Sequence, residues 1–355
     1  MRQPRRDAAD PRHQMTAAKS PPLHLRIKRM LETLSGGTEQ ILMNETRKSW
    51  VFFTSLHAYK LKKRLRDDLQ DLTSLRARLD NALVEVDLNR RLARSMYLGV
   101  VKLCERENKT LNLDGPGRTI DWLVKMRRIP ADQMLDELIT GSPNDPERWG
   151  PEVDRLADIL TDFYQAAPRS NLQAEELSIL QKNQQDQNET VLFDPLFAAH
   201  QAHFSAVLTA YSTTFERFLS RYDTRAAQGW IRECHGDLRP EHICLTDPPL
   251  VFDCLEFNRN LRQLDPFQEL AQLGLETDLL GATWIKRRLI DAVADGLGHK
   301  PPQELLDFYK VSHALLRMRL CLAHLLVPKP RKPEKWLPLA LRYCEAASRV
   351  LDVRS

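Results

Sequence analysis

The sequence predicts an α+β chain of two lobes, a small β-rich one followed by a larger, mostly helical one. Three observations carry this. The 355 residues exceed what one small core needs and fall short of three ordinary domains. Apolar runs with strand character are concentrated in about the first third of the chain, between residues 50 and 125. Beyond residue 150 the apolar residues recur almost throughout at helical spacing. A hydrophobic share of 42% with 28% charged residues is ordinary globular composition and excludes a wholly disordered chain.

Residues 1–22 read as a disordered tail: they contain Arg but no apolar run of a secretory signal, and Asp7, Asp10 and their prolines argue against a mitochondrial presequence. Leu23–Leu34 has the spacing of an amphipathic helix, closed by Gly36-Gly37. Residues 50–53 and 58–62 carry strand chemistry; period 2 puts Ala58, Lys60 and Lys62 on one face and Tyr59 and Leu61 on the other. A helix follows over about 72–93, with Leu75, Leu79, Ala82 and Val86 on one side. Residues 97–103 and 119–125 are apolar strands flanking a turn at Asp114-Gly115-Pro116-Gly117. The first lobe is thus 23–128, with a hinge at 126–130, and 129–355 forms the second. In the second lobe, 152–164 and 199–222 are amphipathic helices, and the polar stretch 182–189 reads as a linker or a solvated helix end. Phe308, Val311, Leu315, Met318, Leu322 and Leu325 form an apolar stripe that stops at Pro328.

The formal charge of +4 is too small and too dispersed for a dedicated nucleic-acid partner. With no apolar run of about 18 residues and six cysteines lacking any CxxC or Cys/His metal spacing, the chain reads as cytoplasmic, with reduced thiols and no membrane partner.

The chemistry concentrates at His235-Gly236-Asp237-Leu238-Arg239-Pro240-Glu241-His242, followed by a short β hairpin that returns to Asp253. A turn about Asp247-Pro248 sets His242 roughly opposite Asp253, within one residue of register. An acid, a base-capable ring and a cation therefore converge on one hairpin mouth. Phosphoryl transfer needs such positioning and charge neutralisation more than covalent catalysis. Asp237 suits a general base toward an acceptor hydroxyl, Arg239 a donor fork toward the transferring phosphoryl, and Asp253 a hard oxygen ligand for Mg²⁺.

That loop resembles the catalytic loop of the protein-kinase-like superfamily, and its HGD form is similar to the aminoglycoside-phosphotransferase and choline-kinase-like family. Asp253-x-x-Glu256 and Asp265-Pro266-x-x-Glu269-Leu270-Ala271 resemble two further segments of that family, with Glu269 where Asp is usual. In the first lobe Ala58-Tyr59-Lys60 resembles its nucleotide-clamping strand, and 85–92 (EVDLNRRL) the helix that supplies the lysine's glutamate partner. The closest likeness is to a bacterial group of these kinases, many of which continue into a P-loop kinase half; no GxxxxGK[ST] occurs here, so a separate P-loop partner is an open expectation.

The resemblance implies a two-lobed protein-kinase-like fold, ATP with Mg²⁺ as cofactors, nucleotide contacts from Lys60, Glu85 and the hinge residue Met126, catalysis by Asp237 and Arg239, and metal ligation by Asp253 and His242. Lys62 shares the face of Lys60 and remains the alternative phosphate lysine. His242 stands where the protein-kinase loop has Asn; imidazole is a poor Mg²⁺ ligand, so a softer ion such as Mn²⁺ is the other expectation. Only 16 residues separate Asp253 from Glu269, too few for a long activation segment. A small-molecule hydroxyl acceptor is therefore expected. The alternatives are a nucleotide-binding pseudokinase module and a protein kinase. His235 is expected to anchor the loop rather than carry a proton.

Overall fold

The computed structural model describes residues 21–353. Most of the expected tail lies outside the described residues. The first lobe is built on helix α1 (Leu23–Leu34), strands β1 (Leu42–Glu45), β2 (Ser49–Phe53) and β3 (His57–Lys62), a small hairpin β4 (Arg66–Asp67) and β5 (Gln70–Asp71), helix α2 (Leu75–Asn89), and strands β6 (Tyr97–Glu105), β7 (Leu111–Leu113) and β8 (Arg118–Arg127). Six strands form one antiparallel sheet in the order β1-β2-β3-β8-β6-β7.

The alternation read from the sequence decides which helix covers which face. Ala58 packs with Ala82 and Val86 of α2. Tyr59 and Leu61, pointing the other way, pack with Ile27, Met30 and Leu31 of α1. The face that carries Ala58, Lys60 and Lys62 is therefore the one α2 approaches. Helix α2 is capped by Ser74, whose hydroxyl accepts the Ala77 N–H, and it is shorter than expected, ending at Asn89. Strands β1 and β7 were not anticipated; both are short, and neither shows a run of strand-favouring residues.

The second lobe contains α3 (Leu135–Gly141), α4 (Pro146–Ala166), α5 (Ala174–Leu192), α6 (Gln201–Ala227), α7 (Pro266–Leu279), α8 (Thr283–Leu297), α9 (Gln303–Ala323) and α10 (Pro333–Leu351). Four short strands lie among them: β9 (Arg232–Glu233) pairs with β12 (Gln263–Leu264), and β10 (Ile243–Cys244) with β11 (Leu250–Val251). Helix α7 is buried on nearly every side and is the axis of the lobe. The stripe on α9 is buried from Phe308 to Leu322, but the helix stops at Ala323, before Pro328.

Two expectations are corrected. The stretch 182–189 lies inside α5, and Gln185 and Asn188 are buried, Gln185 donating to Glu189 one turn on. A run of polar residues hides a helix whose neighbours tolerate amides. The hairpin register is one residue short of that expected: Ile243 faces Val251 and Cys244 faces Leu250, so His242 falls opposite Phe252. All six cysteines are free and buried. No helix among the described residues is long and apolar enough to cross a membrane.

Candidate active site

The face of β3 that carries Lys60 meets helix α2 on one side and the 235–256 segment on the other, across a cleft of ≈ 800 Å³ between the lobes. Lys60 Nζ lies 2.8 Å from Glu85 Oε1 and 2.7 Å from Asp253 Oδ1. Two residues along the same strand face, Lys62 Nζ also contacts Glu85, and lies 2.5 Å from Glu256 Oε1. Glu85 is fully buried and holds both lysines. Burial works against the charge of Lys60, yet Asp253 and Glu85 together hold its pKa well above the ordinary lysine value. Burial likewise tends to raise the Asp253 carboxyl, but Lys60 and His242 hold it below the usual carboxylate range.

Asp253 ends the hairpin in the left-handed region, at φ 59°, and its N–H is directed to the Tyr97 hydroxyl at 3.4 Å. Asp253 Oδ2 lies 3.7 Å from His242 Nε2 despite the shifted register. His242 Nδ1 is 2.8 Å from the Asp237 carbonyl, which can only accept, so Nδ1 carries a proton and Nε2 is the ring nitrogen on the Asp253 side.

The loop 235–242 is held from beneath. Glu269, wholly buried on α7, accepts the His235 N–H at 3.2 Å, the Gly236 N–H at 2.6 Å and the Tyr164 hydroxyl at 2.9 Å. Gly236 has φ 89°, and a Cβ there would meet Arg262 Cγ at 2.9 Å, so only glycine fits. His235 Nδ1 accepts the Asp237 N–H while Nε2 donates to the Phe252 carbonyl; burial, with the neighbouring His242, pushes its pKa down to about 4. It is a neutral anchor, as its position in the loop suggested. These bonds leave the Asp237 side chain 32% exposed at the cleft, with Oδ1 accepting from Gln272 Nε2 at 3.3 Å. Arg239 is turned onto Glu241, with Nη1 4.0 Å from Asp237 Oδ2. Asp265 caps α7 and takes a two-bond ion pair from Arg225, so it serves the scaffold rather than the cleft.

Lys60, Glu85, Asp237, Arg239, His242 and Asp253 thus come together, and Met126, at the end of β8, lines the same cleft. Sequence reasoning missed what ties the lobes. Asn89 Oδ1 accepts the Cys254 N–H at 2.9 Å, and Arg91 donates to the carbonyls of Glu233 and Cys234 at 3.0 and 3.1 Å. The available signal was spacing: Asn89 lies four residues from Glu85, on the same helix face. Gln272 carried no signal.

A divalent ion would find Asp253 and His242 as donors. No group of three or more His, Cys, Asp or Glu side chains that could hold a metal occurs among the described residues. The donor set fits an ion that takes most of its ligands from phosphate oxygens and water.

No family model matches the chain. A glucosamine kinase in complex with glucosamine, ADP and inorganic phosphate superposes with TM-score 0.52 at 13% identity, covering 88% of this chain and 80% of that one. A spectinomycin phosphotransferase in complex with ADP and spectinomycin gives 0.51 at 11%, covering 92% and 98%. A choline kinase from Streptococcus pneumoniae gives 0.50 at 13%, covering 92% and 99%. The chain has the two-lobed α+β fold of these small-molecule kinases, the fold implied by the HGDLRPEH loop. Uncharacterized proteins from Mycobacterium tuberculosis and Mycobacterium bovis are each 27% identical over 287 residues, which is 78% of this chain and 54% of theirs. The chain spans about half the length of these curated relatives.

Proposed function

We propose that the chain is an ATP-dependent phosphotransferase acting on the hydroxyl of a small molecule. One observation carries the reading: a partly exposed carboxylate, Asp237, faces the same cleft as a Lys60–Glu85 pair and the carboxylate of Asp253. Lys60, oriented by Glu85, would bind the α- and β-phosphates. Asp237, kept in place by the loop bonds to Glu269 and by Gln272, would orient the acceptor hydroxyl and take its proton at an Oδ atom. Arg239 would release Glu241 to offer donors to the transferring phosphoryl. Asp253 and His242 would hold Mg²⁺ or Mn²⁺, which when bound neutralises phosphate charge. Only η-turn, coil and β12 separate Asp253 from α7 at Pro266, so no extended segment is present there to dock a polypeptide. The fold neighbours, named as kinases of glucosamine, choline and spectinomycin, support a small acceptor.

The test is transfer of the terminal phosphate from labelled ATP, with Mg²⁺ or Mn²⁺, to pooled small hydroxyl compounds. Asp237→Asn is expected to keep nucleotide affinity and lower turnover by about 10²–10⁴-fold. Nucleotide binding without transfer or hydrolysis above the Asp237→Asn level, across a wide acceptor panel, would instead identify a regulatory pseudokinase.

A further inference from the structure

The turn between β1 and β2 lies where phosphates would be covered, yet it has no glycine, and most of its amides are already engaged. Thr46 N–H donates to the Ser49 carbonyl at 2.9 Å, and the Thr46 hydroxyl accepts the N–H groups of Lys48 and Ser49 at 3.3 and 2.9 Å. Of the turn's backbone donors at 46–49, three are consumed internally. A phosphate beneath this turn would need its charge met by side chains.

Among the cations that line the cleft at this turn, Arg47, Lys48 and Lys62, Lys62 is the one that shares the strand face of Lys60. Its strand partner across β2–β3 is Ser49, at the end of that turn, whereas Lys60 pairs with Val51 deeper in the cleft. The two lysines share one face and are separated by two residues, roughly 7 Å along the strand. That offset carries a site from the inner phosphates of a nucleotide to its terminal one. Lys62 is 4% exposed, lines the cleft, and uses its donors toward Glu85 and Glu256; an ammonium has three. Glu85 is common to both lysines, so each retains a carboxylate partner when Asp253 or Glu256 turns to another ligand.

We propose that Lys62 is a second phosphate-binding lysine, holding the terminal phosphate of a nucleoside triphosphate in the role that backbone amides of a glycine-rich loop would otherwise fill. This rests on the reading of the cleft as a nucleotide site. Lys60 and Lys62 then divide the triphosphate between them, with Glu85 as their shared anchor.

The test is calorimetric binding of ADP and of the non-hydrolysable β,γ-imido triphosphate to the full chain, each with Mg²⁺. The wild-type chain is expected to prefer the triphosphate, and Lys62→Met to lose that preference by about ten- to hundredfold, the worth of a charge-assisted hydrogen bond, with ADP affinity little changed. Lys62→Arg should keep the preference. Because Lys62→Met leaves Glu256 unpaired, Lys62→Met/Glu256→Gln is measured as well and should lose the preference equally. Retention of the triphosphate preference in both methionine variants overturns the assignment and makes Lys62 a counter-ion only. A wild-type chain that binds neither nucleotide overturns the nucleotide site itself.

Discussion

Replacing Glu85 by Gln removes one charge from the centre of a buried network while keeping its shape. At 2.8 Å, and at an effective dielectric constant of about 20, the Lys60–Glu85 attraction is about 6 kcal/mol before desolvation is counted. Glu85 is fully buried, and the Lys60 and Lys62 side chains are 13% and 4% exposed, so water replaces little of what is lost. Breaking a buried pair by removing one partner costs about 3–5 kcal/mol. Here each lysine keeps a second carboxylate, Asp253 or Glu256, which puts the expected loss at the lower end, about 3 kcal/mol. The amide can still accept from one lysine, but its NH₂ then confronts the other. Urea unfolding, followed by the fluorescence of Trp50 and Trp122 in β2 and β8 with the four tryptophans of the second lobe replaced, reads this directly. At slopes of about 1–3 kcal/mol per molar, the midpoint should fall by about 1–3 M. Glu85→Gln/Lys60→Met should recover part of the loss, because only one cation then faces the neutral amide. A midpoint for Glu85→Gln equal to that of the parent would refute the reasoning, since Asp253 and Glu256 would then suffice for both lysines.

Asp253→Ala should abolish the metal dependence of nucleotide binding; titrations with and without Mg²⁺ check it, and full retention would hand the ion to Glu256. His242→Asn replaces a nitrogen donor with an amide oxygen and should shift activation from Mn²⁺ toward Mg²⁺, read from paired activation curves; an unchanged ratio would leave the ion to Asp253 without His242. His235 gives a pH dependence. Its pKa falls from 6.5 to about 4 on folding, so the unfolded chain binds the proton more readily, and the stability present above pH 6.5 is lost as pH falls toward 4. Between pH 7.5 and 5.0 that is roughly 2 kcal/mol. Urea midpoints at the two pH values should show this drop in the parent beyond that in His235→Gln, and equal drops would show that His235 does not titrate differently in the folded chain.

Local rules in the sequence already determined much of this. Alternation in 58–62 assigned Lys60 and Lys62 to one face and Tyr59 and Leu61 to the other, and helical spacing marked α1 and the buried stripe of α9. The HGDLRPEH loop, with Asp253 beyond its hairpin, located the candidate site, because its residue types follow one another at short range. Tertiary structure decided what depends on exact approach between distant segments. Glu85 clamps two lysines rather than choosing one, since both project from the same strand face onto one buried carboxylate. Hairpin pairing already set His242 roughly opposite Asp253; the left-handed backbone at Asp253 and the register shifted by one residue were decided by the tertiary structure. Asn89, Arg91 and Glu269 hold the loop through its backbone amides and carbonyls, and backbone groups carry no side-chain signature to match. Sequence patterns report which face a residue occupies; which partner waits across that face is settled only when the lobes pack.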